Sequence, residues 1–361
     1  MKITTAAHGG NYGELAKKQG LTKEMVLDFS ANINPLGVPA SLKTKITENL
    51  DKLVEYPEPD YLALRARIAS FHHLEISNVV PGNGATELIF GIAKVTKAQR
   101  VLLLAPTFAE YERAFCDADI IYAELTKENN FAAFEKVLET IKREPELDAV
   151  CLCNPNNPTG QLINQQEMRE IADLCEKRNI YLIIDEAFMD FLEASEEISM
   201  INYLAEYQQL VIIRAFTKFF AIPGLRLGYL LTKNHFIAEH LLQIREPWSI
   251  NTFADIAGQC LFDDESYIQQ TYRWLSAERA FLYRGLQQFP ELTVYEPSVN
   301  YIFFHLEEKF DLRKALLRQK IFIRSCANYQ GLSESYYRVA VKSRADNEQL
   351  LKALEVIFSG N

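Results

Sequence analysis

Short, uninterrupted apolar runs recur through the middle of the chain, at residues 101–105, 149–153, 181–184, 210–213 and 229–231. Amphipathic stretches with helical spacing separate them, a pattern that predicts βα alternation and a mainly parallel sheet. Because several runs lack an apolar–polar alternation, they read as strands covered on both faces by helices. After about residue 235 the pattern changes. A helix is predicted over 264–288, short strands near 292–295, 300–306, 321–325 and 336–342, and further helices over 311–319 and 346–358. Ahead of the alternating region, Gly and Pro punctuate Asn32-Ile33-Asn34-Pro35-Leu36-Gly37, which reads as an arm or loop. At 361 residues the chain exceeds the size at which one core stops growing. The expected organisation is an N-terminal arm (1–40) contributing to the small domain and the active site, a large α/β domain (41–240) and a small α+β domain (241–361).

Turn-forming and polar residues follow these runs directly. Pro106-Thr107-Phe108 follows the first, Asn154-Pro155-Asn156-Asn157-Pro158-Thr159-Gly160 the second and Asp185-Glu186-Ala187 the third, while Thr217-Lys218 comes soon after the fourth. Polar chemistry thus collects at the carboxyl ends of successive strands, where open α/β sheets bind their ligands. One shared site is the economical reading.

Composition narrows the field only a little. Hydrophobic residues at 48% and charged residues at 24% fit an ordinary globular protein and do not separate enzyme from scaffold. The formal net charge of −10 argues against general nucleic-acid binding, yet leaves room for a local basic pocket that takes a small anion. The first ten residues contain no apolar signal core, and no stretch approaches the ~20 apolar residues of a membrane span. A cytoplasmic protein without membrane or nucleic-acid partners is expected. Cys151-Leu152-Cys153 lies in a buried-strand pattern without a second pair at zinc spacing, so these read as core thiols and no metal site is predicted.

The most informative string is Arg214-Ala215-Phe216-Thr217-Lys218-Phe219-Phe220-Ala221-Ile222-Pro223-Gly224-Leu225-Arg226-Leu227-Gly228-Tyr229. Desolvation of a lysine among aromatic and apolar neighbours favours its neutral, nucleophilic amine. Arg226 adds a fixed positive charge suited to a phosphate. Taken alone, the two cations also read as a solvated pair on a loop. The whole string resembles the Schiff-base segment of fold-type I pyridoxal-phosphate (PLP) enzymes, in which a hydroxyl residue, the lysine and Gly-x-Arg follow in this order. The resemblance implies that Lys218 holds the cofactor as a Schiff base and that Thr217 and Arg226 bind its phosphate.

Other segments fit the same pattern. Gly82-Asn83-Gly84-Ala85-Thr86-Glu87 opens an amphipathic helix whose free N–H groups suit a phosphate; it also reads as a simple helix-entry turn. The resemblance implies phosphate contacts at Gly84, Ala85 and Thr86. It further implies that Phe108 stacks on the pyridine ring, Asn157 bonds the 3′-oxygen and Asp185 pairs with the ring nitrogen. Asp185, a carboxylate at a buried strand end, needs a positive partner in any case, or serves as a helix cap. Two departures stand out: Ala215 replaces a common hydroxyl, and Phe188 stands where many related aminotransferases carry tyrosine. Tyr56 matches a position that reaches the neighbouring subunit's cofactor phosphate, implying a homodimer with shared sites.

Over nearly its whole length the chain is similar to the histidinol-phosphate aminotransferase branch of this fold type. Within it, His8-Gly9-Gly10-Asn11 and Ile323-Arg324-Ser325-Cys326-Ala327-Asn328-Tyr329 resemble the threonine-phosphate decarboxylases of cobalamin biosynthesis. That likeness implies a substrate pocket of His8, Asn32, Asn157, Arg324 and Arg338. From the residues themselves, two arginines ending or interrupting apolar strands suit a substrate with two anionic groups, although an ordinary salt bridge would explain either one. The implied reaction is decarboxylation of L-threonine O-3-phosphate to (R)-1-amino-2-propanol O-2-phosphate. An aminotransferase shares the cofactor residues and stays open at this point, as does a PLP-binding module without catalysis.

Overall fold

The computed structural model describes Gly20 and residues 22–308 and 310–359. His8 and its surrounding string lie outside the described residues. The first strand, β1 (Leu27–Asp28), is short. Seven strands then build the principal sheet: β2 (Val79–Gly82), β3 (Arg100–Ala105), β4 (Asp119–Glu124), β5 (Ala149–Cys153), β6 (Tyr181–Asp185), β7 (Leu210–Ala215) and β8 (Gly228–Thr232). Their order is β2-β8-β7-β6-β5-β3-β4, and only β8 runs antiparallel to its neighbours.

The alternation of side chains across the central strands explains their unbroken hydrophobicity. Val150, Leu152, Leu182 and Ile184 join the core on one face, while Cys151, Cys153, Ile183, Val211 and Ile213 join that on the other. Each face is covered, and each buried Val, Leu or Ile among these contributes about 1.5–3 kcal/mol by leaving water. The run at 229–231 belongs to β8, and its reversed direction has a local cause. Between β7 and β8 the chain forms only the short helix Phe216–Phe219 and a loop, without a helix long enough to return across the sheet. It therefore re-enters from the end it left, and Lys218 and Arg226 remain at the carboxyl edge of β7. Neither edge strand, β2 or β4, shows as an apolar run; in β2, Pro81 and Gly82 read as punctuation, a pattern tolerated at an edge.

The second sheet holds β9 (Leu292–Val294), β10 (Tyr301–Leu306), β12 (Arg324–Ser325) and β13 (Tyr336–Ala340), antiparallel in the order β12-β13-β10-β9. Helices Glu265–Leu286 and Arg344–Ser359 pack together beside it, Leu351 lying against Gly285. The single strand expected near 321–325 is two. Its first half, β11 (Ile321–Phe322), pairs in parallel with β1, and its second half pairs with β13. The hydrogen bonds of the two halves go to different partners, on either side of the buried Ile323.

Residues 27–34 stitch the two sheets together. Phe29 donates to Phe322 and accepts from Ala340, and the Asn34 N–H donates to the Lys218 carbonyl at 3.2 Å. The Asn34 side chain donates to the Phe219 carbonyl and to Thr271. Part of the stretch read as an arm is thus strand and buried connection, and it carries Ser30, Ala31 and Asn32 to the junction of the sheets.

Candidate active site

A cleft of about 410 Å³ opens at that junction, at the carboxyl ends of β5, β6 and β7. Lys218, Asp185, Asn157, Phe108, Arg324 and Arg338 all line it. So do Ala85, Thr86, Thr217, Arg226 and Asn32. The structure therefore gathers residues separated by some 300 positions of sequence. Of the remaining candidates, Gly84 lies against the cleft through Arg226, and Tyr56 is not among the residues that line it.

One end of the cleft is made for an anion. The helix Ala85–Thr96 begins there, and its N-cap, Gly84, provides no side-chain hydrogen bond to the first N–H groups. Gly84 has φ +80°, and a Cβ on it would lie 2.6 Å from Nη2 of Arg226, which shows how closely the guanidinium approaches this turn. Gly228 is equally constrained, since its Cβ would meet the backbone of Ala85, Gly84 and Arg214 within 3 Å. Thr217 is buried beside them; Ala215, which also lines the cleft, contributes no hydroxyl.

The asparagine-rich turn divides its labour. Asn154 is spent on Ile163, bonding both its N–H and its carbonyl. Asn156 braces Pro106, Thr107 and Thr159. Asn157 alone of the three faces the cleft, where its Oδ1 accepts from Arg338 and, at 3.3 Å, from the Tyr329 hydroxyl. Such bracing is what a loop needs to hold one amide in place at a sheet edge.

Charge in the cleft is unbalanced in a way that asks for a ligand. Asp185 is buried and, among the described residues, forms no ion pair; its oxygens accept from the Tyr111 hydroxyl (2.7 Å) and the Ala187 N–H (2.9 Å). Burial pushes its pKa up, opposed by those two hydrogen bonds. The adjacent Glu186 faces the opposite side and is neutralised by Arg214 at 2.9 Å. Arg324 and Arg338 are directly opposed across β12 and β13, an arrangement of like charges that costs stability unless an anion joins them. Neither forms an ion pair with a carboxylate among the described residues. Arg338 donates to the Ser30 carbonyl and Arg324 to Asn328, and each has a buried Nε without a partner.

Lys218 shares this field. Desolvation, then the positive charges of Arg338 and Arg226, pulls its pKa down to about 8. The amine is consequently neutral over much of the mildly alkaline range and able to attack a carbonyl. In cofactor-free protein, the rate at which Lys218 captures pyridoxal phosphate is expected to rise with pH and level off above about 8. A rise that continues towards 10.5 would show an ordinary lysine.

Against this geometry, comparisons with known proteins are decisive for the family. The family model for aminotransferase class I and II matches residues 24–357. The chain belongs to that family. It is 42% identical to the threonine-phosphate decarboxylase of Salmonella typhimurium, across 100% of this chain and 99% of that protein. Among solved structures it is similar to the histidinol-phosphate aminotransferase of Clostridium acetobutylicum (TM-score 0.86, 33% identity, 93% of this chain and 100% of that one). It is also similar to the L-threonine-O-3-phosphate decarboxylase of Porphyromonas gingivalis (TM-score 0.82, 25% identity, 92% and 100%). The fold-type I arrangement anticipated from the sequence is the one this family member has.

Several residues of the cleft carry no role in the sequence reading. Tyr111 reaches Asp185, and Tyr329 reaches Asn157 and lies under Arg324, with 5.4 Å between guanidinium carbon and ring centre. Tyr329 stands in the string that also contains Arg324, so proximity in sequence was an available signal. Tyr111 had a weaker one, its position one helical turn after Phe108, against whose ring it packs edge-on at 5.7 Å.

Proposed function

We propose that this protein uses bound PLP to decarboxylate L-threonine O-3-phosphate, releasing CO₂ and (R)-1-amino-2-propanol O-2-phosphate within cobalamin biosynthesis. The observation that carries the reading is the opposed pair Arg324 and Arg338, without a carboxylate partner among the described residues, opening onto Lys218. A substrate with one carboxylate and one phosphate answers that pair. Whole-length identity to a threonine-phosphate decarboxylase supports the choice of substrate.

The cleft fits the cofactor on three counts: an uncapped helix start beside Arg226 for its phosphate, a buried carboxylate without a cation for its ring nitrogen, and a low-pKa lysine for its aldehyde. When bound, PLP supplies an electron sink for the charge left at Cα. Gly84, Ala85, Thr86, Thr217 and Arg226 hold the phosphate group, with Thr217 taking the share that Ala215 cannot. Asp185 would pair with the protonated ring nitrogen, and Phe108 would cover the ring. With its Oδ1 occupied by Arg338 and Tyr329, Asn157 has its amide nitrogen left to donate to the ring oxygen. Asn32, whose buried Oδ1 has no partner among the described residues, meets the substrate, as does His8 from outside the described residues. Lys218 anchors the cofactor, and its near-neutral amine can carry a proton at the working pH.

Incubation with L-threonine phosphate, with and without 2-oxoglutarate, tests the reading. CO₂ release that needs no oxo acid is expected; formation of glutamate instead would make the protein an aminotransferase.

The same reading includes a homodimer in the cytoplasm. Val54 and Tyr56 are 89% and 79% exposed, and Tyr56 packs at a tilt against the half-exposed Trp248 with ring centres 4.6 Å apart. With Leu50, Leu53 and Leu62 they leave a stretch of apolar side chains in water, as partner surfaces do. Light scattering is expected to give a dimer, and Val54→Lys to shift it towards monomer with loss of activity. A fully active wild-type monomer would eliminate both the dimer and a role for Tyr56 in a shared site.

A further inference from the structure

Asp185 is held by a residue on a different element. Tyr111, in the short helix Glu110–Ala114, is wholly buried and packs in the core with Leu103, Cys151, Cys153 and Phe115. Its hydroxyl donates to Asp185 Oδ2 at 2.7 Å. The direction of this bond is not in question, because burial and the neighbouring carboxylate push the phenol's pKa well up, so Tyr111 keeps its proton and gives a hydrogen bond to the charged acid. The other carboxylate oxygen is met by a backbone N–H, which no side-chain substitution removes.

Among the described residues, the other titratable groups that interact with Asp185 are the thiols of Cys151 and Cys153 on β5 and the Tyr301 phenol on β10. All are pushed up by burial, Cys153 to about 12, so none brings a charge at neutral pH. Desolvation therefore works to protonate Asp185, and Tyr111 is the side chain that resists it.

We propose that Tyr111 is a positioning residue for the reaction: by donating to Asp185 it keeps that carboxylate ionised and aimed, ready to hold a protonated pyridine nitrogen. This rests on the PLP reading above. Removing the phenolic oxygen leaves the ring to fill the core, so the effect is electrostatic more than steric. A hydrogen bond to a charged acceptor corresponds to about a tenfold or larger change in affinity when lost.

The test is a titration of cofactor-depleted, full-length protein with pyridoxal phosphate across pH, for wild type, Tyr111→Phe, Asp185→Asn and the double variant. Tyr111→Phe is expected to bind the cofactor about tenfold more weakly and to move the acid limb of the affinity profile to higher pH, because the carboxylate has lost a donor. In the Asp185→Asn background the same substitution is expected to change little. A fluorinated tyrosine at 111, a stronger donor, should move the limb the other way, and it keeps the hydroxyl and its bond to Asp185 if the phenylalanine variant folds poorly. Equal losses in both backgrounds would reduce Tyr111 to a packing residue, and a wild-type profile for Tyr111→Phe would overturn the proposal outright. Wild-type protein that binds no pyridoxal phosphate would sink the functional reading itself, a separate result.

Discussion

Lys218→Ala is expected to lower turnover of threonine phosphate by about 10³- to 10⁴-fold, the upper range for loss of a group that moves protons at the reacting atom. The same change should leave much of the cofactor affinity in place, since the proposed phosphate site, Gly84, Ala85, Thr86, Thr217 and Arg226, does not include the lysine. The two readouts therefore separate. Cofactor should still co-purify or rebind, but the visible absorbance of a lysine-bound cofactor should vanish and should not respond to pH. Near-wild-type turnover in this variant would remove Lys218 from the chemistry and with it the PLP assignment. Buried in a field set by Arg338 and Arg226, a substituted side chain at 218 relieves charge repulsion, so loss of folding is not the expected cause of inactivity.

The second large effect belongs to Arg338. Replacing it with alanine is expected to reduce kcat/KM by about 30- to 4000-fold, the equivalent of the about 2–5 kcal/mol lost when one partner of a buried charged pair is truncated. Arg338 is 4% exposed and also holds Oδ1 of Asn157, so its removal is expected to loosen the proposed cofactor contact as well as the proposed anion site. Arg324 is half-buried at the rim and bonds to Asn328, and a smaller loss is expected for Arg324→Ala. Comparing threonine phosphate with threonine in the two variants assigns the anions. The variant in which the preference for the phosphorylated substrate collapses has lost the phosphate ligand. If both variants keep kcat/KM within about threefold of wild type, the opposed arginines are not the substrate's anion pocket.

These expectations draw unevenly on the sequence. The alternation of apolar runs and helical stretches placed β3, β5, β6 and β7 within a residue or two, because strands buried on both faces carry a strong local signal. The direction of β8 was not legible in the run itself, which reads the same in either sense. It followed from the short link that holds Lys218 at one end of the sheet. The stretch 321–325 looked like one strand since every residue in it suits a strand, and nothing local says that its two halves bond to β1 and to β13.

What the sequence determined by itself is the chemistry available: turn-forming and charged residues directly after buried strands, hence a polar site at their carboxyl ends, and the string around Lys218. Tertiary structure alone decided which groups meet. Arg324 opposes Arg338, Tyr111 reaches Asp185, and Tyr329 and Arg338 converge on Asn157, across separations of 14 to 181 residues in sequence. Local propensity sets which element forms, but long-range register and packing set which side chains come into contact, and those depend on the whole chain at once.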